Sequence, residues 1–257
     1  MRPKPKIKAK IRTIDEYLAA LSDDKRAAFL DISVSRRDSP VYRIISLDRF
    51  YELFAKRQNV LVNPSMWDDP FENFILKSQS LSRQGWFGQC WTRHRASDAM
   101  WRIYSNDSRS VRIRSTPARL LQSLISSTKR GQSFVGAVRY LPHGSLMRFA
   151  QEAISSGNLK MPKMAARTLL VKRPAFRHEA EVRLLFFTDR AGSSRLFRYQ
   201  VDPHSLIDQV MLDPRLPWVD FKNTKAEIQR RTGYAGSIKR SLLYAPPPSL
   251  ASIVYET

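Results

Sequence analysis

A single cysteine, Cys90, in 257 residues excludes a disulfide framework and any Cys-rich zinc or iron–sulfur site. No apolar run approaches the roughly 18 residues that a membrane helix needs. Only nine glycines occur, and none falls into G-x-x-x-x-G-K-[ST], G-x-G-x-x-G or G-x-S-x-G. H-E-x-x-H is missing as well. P-loop, Rossmann, α/β-hydrolase and zincin readings lose their usual support. Acid is scarce too: 23 Asp and Glu stand against 44 Lys and Arg, for a net charge of +21. What remains is 42% hydrophobic and 11% aromatic, enough to build a core and exclude wholesale disorder. The opening MRPKPKIKAKIR is basic and Pro-interrupted with no apolar centre, unlike a secretory signal. The expectation is a soluble, cytoplasmic protein.

The positive charge is concentrated. Residues 93–173 hold sixteen basic and three acidic side chains. Arg93, Arg95, Arg102, Arg109, Arg112 and Arg114 crowd its start, interleaved with Trp101 and Tyr104. Arginine grips phosphate bidentately, and aromatic rings stack on bases. Nucleic acid, RNA or DNA, is the expected partner of these six arginines. An acidic antitoxin or immunity protein fits the same field; with no membrane-spanning run, no membrane partner is expected.

Periodicity divides the chain into residues 1–40, a basic arm with a helical hairpin, and 41–257, an α+β domain. Thr13 and Glu16 have capping-box spacing, opening a helix with Tyr17, Leu18 and Leu21 on one side. A second helix is predicted over 25–32. Strands are predicted at 41–45, 60–62, 87–92, 111–114, 135–140, 180–187, 210–212 and 252–255, with 196–201 as the hairpin neighbour of 180–187. Another segment, 238–244, closes the domain with 252–255. Helices are predicted at 47–56, near 98–104, 117–128, 146–155, near 203–206 and 223–232. Short strands and helices without regular βαβ spacing argue α+β.

Three clusters carry possible chemistry. If 179–187 is extended, Glu179, Glu181 and Arg183 share one face, opposite Val182, Leu184 and Phe186. Their plainer reading is an exposed Glu–Arg pair. Trp67-Asp68-Asp69-Pro70-Phe71-Glu72 gathers three acids in a turn, with Phe71 expected in the core. Cys90 precedes Trp91 and Thr92; a nucleophilic pair with His178 is conceivable, but a buried structural thiol is the plainer reading.

In order, these segments resemble the bacterial family known as domain of unknown function 2971. Val41-Tyr42-Arg43 answers its first strand and Asp68-Asp69-Pro70-Phe71-Glu72 its N-D-P-F-E turn. Cys90-Trp91-Thr92 with Trp101 and Tyr104 answers C-F-S…W-x-x-Y. Lys172, Phe176, Glu179, Glu181 and Arg183 answer K-x-x-x-W-x-x-E-x-E-x-R. The likeness spans about residues 41–190. Asp68, Thr92, Phe176 and Ser110 depart from the commoner Asn, Ser, Trp and Gly.

The layout is also similar to ADP-ribosyltransferases, which implies a split antiparallel sheet with flanking helices and NAD as substrate. By that resemblance Arg43 contacts the pyrophosphate or adenine ribose, with Tyr42, Trp101 and Tyr104 completing the cofactor set. Thr92 bonds near the nicotinamide ribose. Glu181 holds the ribose 2′-hydroxyl, and Glu179 orients the acceptor. A toxin or antiviral-defence role accompanies the likeness. Two alternatives stand beside it. One is a non-catalytic RNA- or DNA-binding protein. The other is a nuclease holding Mg²⁺ on Asp69, Glu72, Glu179 and Glu181.

Overall fold

The computed structural model describes residues 27–72, 74–75, 85–189 and 194–244. Twelve strands are found among them: β1 (Ala27–Leu30), β2 (Val41–Ser46), β3 (Gln58–Val62), β4 (Trp86–Thr92), β5 (Ser110–Ser115), β6 (Gln132–Ala137), β7 (Arg139–Tyr140), β8 (Val171–Lys172), β9 (Glu181–Phe187), β10 (Leu196–Gln200), β11 (Gln209–Leu212) and β12 (Ser237–Arg240). The helices are α1 (Leu47–Lys56), α2 (Asp98–Tyr104), α3 (Pro117–Ser127), α4 (His143–Ser155), α5 (Pro162–Thr168), α6 (Pro203–Leu206) and α7 (Trp218–Thr232). This is an α+β fold.

Ten strands form one sheet, ordered β1-β6-β9-β4-β2-β5-β11-β12, with β3 joined to β4 and β10 to β3. β7 and β8 form a small parallel pair of their own. The large sheet is mixed rather than purely antiparallel, because β1 and β12 add parallel strands at its two edges. It is nevertheless split. β4 pairs with β9 from Trp86–Phe187 to Thr92–Glu181. β4 meets β2 only at Tyr42–Thr92, and β3 only at Val62–Gly88. Where the ladder opens, backbone and side chains are left to line a cleft.

Alternation decides what faces where. Val182, Leu184 and Phe186 of β9 join Phe87 and Trp91 of β4 in the main core, which takes in Phe50 of α1, Leu120 and Leu124 of α3 and Ile228 of α7. On the other face Trp86, Phe134 and Leu185 pack with Ala165, Ala166, Leu169 and Leu170. Local signals fix the helix starts. Ser46, Ser97 and Thr116 cap α1, α2 and α3 by accepting from Arg49, Met100 and Arg119 N–H. Gly88 is required by packing: a Cβ there would lie 2.7 Å from the Trp67 ring.

Four expectations change. Residues 27–30 form a strand, not helix, because Ala27–Leu30 pairs with Ser133–Gly136; long-range pairing overrides local helix preference. Leu196–Gln200 pairs with β3, and the neighbours of β9 are β4 and β6. The run 135–140 breaks at Val138, whose N–H donates to the Glu181 carbonyl. Glu179 ends a 3-10 helix, Pro174–Glu179, and Ala180 turns left-handed (φ 42) before β9 begins. The helix predicted from Thr13 and the strand at 252–255 lie outside the described residues.

Candidate active site

The split opens into a cleft of about 860 Å³. Its walls bring together Tyr42 and Arg43 of β2, Cys90 and Thr92 of β4, Tyr104 of α2, Lys172 of β8, and Glu179 and Glu181. The volume lies within the range of small-molecule sites, about 300–1,000 Å³.

One wall is a buried network of charge. The Lys172 ammonium lies 2.6 Å from Glu179, 2.8 Å from Glu72 and 3.7 Å from Glu181. Arg183, fully buried, donates through Nη2 to Glu72 (2.9 Å) and through Nη2 and Nε to Glu181 Oε2 (2.6 and 3.2 Å). Arg183 Nη1 reaches the Leu169 carbonyl at 2.7 Å, and its guanidinium lies 4.3 Å from the centre of the Trp67 ring. At the cleft rim Arg173 grips Asp69 at 3.0 Å. Within the network three carboxylates face two cations, so one negative charge is left over beside the cleft. Arg183 and Lys172 both meet Glu181 through Oε2, and the Cys90 thiol bonds to the same carboxylate.

The electrostatics follow from that packing. Burial pushes the Glu181 carboxyl upward, but Arg183 and Lys172 overcome it and hold the group below its ordinary range. Burial wins at Glu72, which is raised despite Arg183 and Lys172. Burial also lowers Lys172 and Arg183, but their carboxylates prevail and raise both. The Cys90 thiol is pushed well up by burial and by Glu181. It is therefore no ready thiolate, and His178 is exposed with Nδ1 against the Ala175 carbonyl. The Cys90–His178 nucleophile has no basis here.

The opposite wall differs. Arg43 is held near the split, where burial brings its guanidinium down to about 10. The charged and polar groups it feels most are Cys90, Arg49, Tyr199 and Tyr104, none of them a carboxylate. It stays cationic at neutral pH.

Of the residues expected at the site, Tyr42, Arg43, Thr92, Tyr104, Glu179 and Glu181 line one cleft. Trp101 does not; it is 1% exposed and packs with Ile44 and Met100, supporting the cleft from behind. Thr92 is more specific than a ribose contact. Its hydroxyl donates to the Glu179 carbonyl (2.6 Å) and accepts from His94 N–H (3.1 Å). It clamps the Glu179 turn to the end of β4.

The six arginines expected to meet nucleic acid divide. Arg93, Arg95 and Arg109 are exposed. Arg102 is exposed but paired with Asp98 at 2.7 Å. Arg114 is held by Asp208 at 2.5 Å. Arg112 is 4% exposed, its guanidinium 4.4 Å from the Tyr42 ring centre, and burial lowers it to about 10. Arg112 thus supports the cleft floor instead of reaching solvent.

The acid turn also reverses expectation. Asp69 and Glu72 are buried and Phe71 is 41% exposed, 4.6 Å from the Arg173 guanidinium. Carboxylates that find cations turn inward: Glu72 meets buried Lys172 and Arg183, and Asp69 meets the half-exposed Arg173. The centre of Glu72, Glu179 and Glu181 is filled by the Lys172 ammonium and the Arg183 guanidinium. Among the described residues no group of three or more His, Cys, Asp or Glu could hold a metal ion. The Mg²⁺ nuclease arrangement is therefore not formed. Sequence reasoning missed Tyr140, whose hydroxyl accepts the Glu181 N–H at 2.9 Å. No local motif marks it; only the β7–β8 pairing brings it there.

No helix among the described residues is long and apolar enough to cross a membrane. No protein-family model matches the chain, and a search of curated proteins finds no match. Solved structures of DarT from Thermus sp. 2.9 are similar to it. DarT in complex with NAD+ gives a TM-score of 0.40 at 11% identity, covering 79% of this chain and 96% of that one. DarT in complex with ADP-ribosylated ssDNA gives 0.39 at 11% identity, covering 82% and 96%.

Proposed function

We propose that this chain is a NAD-dependent ADP-ribosyltransferase whose acceptor is a nucleic acid. One observation carries the reading: a buried carboxylate, Glu181, is pinned through Oε2 by Arg183 and lines the cleft at the split. It belongs to a network with one surplus negative charge.

Departure of nicotinamide breaks the C1′–N bond, and the bonding pair leaves with the ring. Positive charge then develops on the ribose. A fixed carboxylate beside that charge favours the transition state over the ground state. Arg183 and Lys172 keep Glu181 ionised and oriented, so no reorganisation is needed when the bond breaks. The acceptor atom bonds to C1′ and gives up its proton to solvent water. Glu179, clamped by Thr92 and tied to Lys172 at 2.6 Å, is placed to orient that acceptor. Arg43 offers a carboxylate-free cation to the diphosphate, and Tyr42 and Tyr104 offer rings to the donor.

The acceptor class is supported by the net charge of +21 and by exposed Arg93 and Arg95, which follow Thr92 directly. Resemblance to domain of unknown function 2971, and a toxin or antiviral-defence setting, belong to the same proposal. Incubation with labelled NAD and single-stranded DNA, RNA or protein tests it. Label should pass to nucleic acid, and Glu181→Gln should slow that transfer by about 10²–10³-fold. Undiminished transfer by Glu181→Gln removes Glu181 from the chemistry. Transfer to protein alone removes nucleic acid as the acceptor.

A further inference from the structure

A second cavity, about 310 Å³, adjoins the cleft between the α1–β2 unit and the β3–β10 ribbon. The two cavities share Arg43, Arg49 and Trp91 among their walls. Four cations line the second one: Arg43, Arg49, Lys56 and Arg198. Its one carboxylate, Glu52, is already bonded to Lys56. Arg43, Arg49 and Arg198 enter none of the ion pairs found among the described residues. Three guanidinium groups and Lys56 share one small hollow with a single acid, Glu52, which feels both Arg198 and Arg49, so positive charge stays in excess until an anion arrives. Arg43 and Arg49 feel each other's repulsion directly.

We propose that this second cavity binds a small, multiply charged phosphate anion of the pyrophosphate or nucleoside-diphosphate class, gripped by Arg43, Arg49 and Arg198. The guanidinium fork matches phosphate oxygens bidentately, and several forks around one hollow favour a polyphosphate over a lone carboxylate. The volume lies at the bottom of the range for ligand sites, about 300 Å³, which suits the diphosphate portion of such an anion. The anion has two possible sources. It can be the diphosphate of a dinucleotide already seated in the cleft, or a separate phosphoanion that occupies the cavity alone. The inference does not depend on the transferase reading, since it concerns binding only.

Calorimetric titration of the full chain with inorganic pyrophosphate, at fixed salt, decides it. Arg198 is the informative position, because it lines the second cavity but not the cleft, is exposed and has no ion pair to lose. Arg198→Ala and Arg49→Ala should each weaken pyrophosphate at least tenfold. Arg198→Lys, which keeps the charge but not the fork, should fall between Ala and wild type. Arg148→Ala, on the exposed face of α4, should change nothing. Parallel titration with NAD separates the sources: a matching loss in Arg198→Ala marks the donor's own diphosphate, and an unchanged NAD affinity marks a separate phosphoanion. No measurable pyrophosphate binding overturns the proposal. So does equal weakening in Arg198→Ala and Arg148→Ala, which is diffuse attraction to a basic surface. Neither result touches Glu181, whose test is turnover.

Discussion

The two walls of the cleft solve the same problem in opposite ways. On the β8–β9 side, Lys172 and Arg183 are buried and each meets at least two carboxylates. On the α1–β2 side, Arg43 and Arg49 enter no ion pair among the described residues; Glu52, the acid that Arg49 feels, is bonded to Lys56. A saturated network is rigid, because every rotation would cost a desolvated charge. An unsaturated one keeps its attraction for whatever enters. The difference teaches which wall is preorganised for chemistry and which is kept for binding.

The comparison breaks most visibly in stability. Arg183→Met strands Glu72 and Glu181 as buried charges without their guanidinium, at a cost of about 3–5 kcal/mol. Arg43→Met removes a desolvated cation that no carboxylate repays, and should be neutral or stabilising. Urea denaturation of both variants is the measurement. Equal losses would mean that Arg43 has a structural partner as strong as those of Arg183, and the contrast between the walls would disappear.

A smaller effect sharpens the account of the preorganised wall. Thr92→Val deletes the hydroxyl between β4 and the Glu179 turn, leaving the Glu179 carbonyl and the His94 N–H unsatisfied. It should cost about 1–3 kcal/mol in thermal or chemical unfolding. If Thr92 clamps Glu179 as the 2.6 Å bond indicates, acceptor KM should rise while the donor's stays constant. A change confined to donor KM would restore the ribose contact expected from the sequence.

These contrasts also show what could be read before folding. Strands β2, β4, β5 and β9 and helices α1, α2 and α3 were legible, because alternation and helical spacing are local. Alternation correctly set Glu181 and Arg183 on one face. It misplaced Glu179, since nothing in the letters His178-Glu179-Ala180 announces the left-handed turn at Ala180. The network itself was not legible. Glu72 and Arg183 are 111 residues apart, and their pairing depends on which strands become neighbours. Charge counting failed at Arg112 and Arg114 for a related reason. A formal charge says nothing about whether a Tyr42 ring or Asp208 has already claimed it.

Titration gives a further, gentler contrast. Glu181 has a folded-state value below its ordinary 4.5, so it stabilises the fold above that pH and the contribution fades as pH falls through the lowered value. Lys172 is raised above its ordinary 10.5, so its contribution is complete below that pH and fades as pH rises through the higher folded value. Glu72, raised, acts against Glu181: its contribution shrinks as pH rises through its own folded value. The stability gap between wild type and Glu181→Gln should therefore narrow below pH 4.5. The gap to Lys172→Met should narrow only above pH 10.5. Denaturation midpoints across the range read both. A gap that stays constant on either limb would mean that the group is not ionised in the network.

The smallest expected effect separates charge that is free from charge that is spent. Counterion release makes the logarithm of nucleic-acid affinity fall linearly with the logarithm of salt, and each phosphate contact contributes about one unit of slope. Arg93 and Arg95 are exposed beside the cleft, and Arg95 is near enough to Arg112 to depress it. Arg93→Ala and Arg95→Ala should each lower the slope by about 1 for single-stranded DNA or RNA. Arg114→Ala should leave it unchanged, since that guanidinium is already held at 2.5 Å by Asp208. The three side chains are indistinguishable in a net-charge count, so equal slopes for all three would show that the strand takes a path set by total field alone. A loss confined to Arg93 and Arg95 would draw that path along the end of β4 and into the mouth that Glu181 lines.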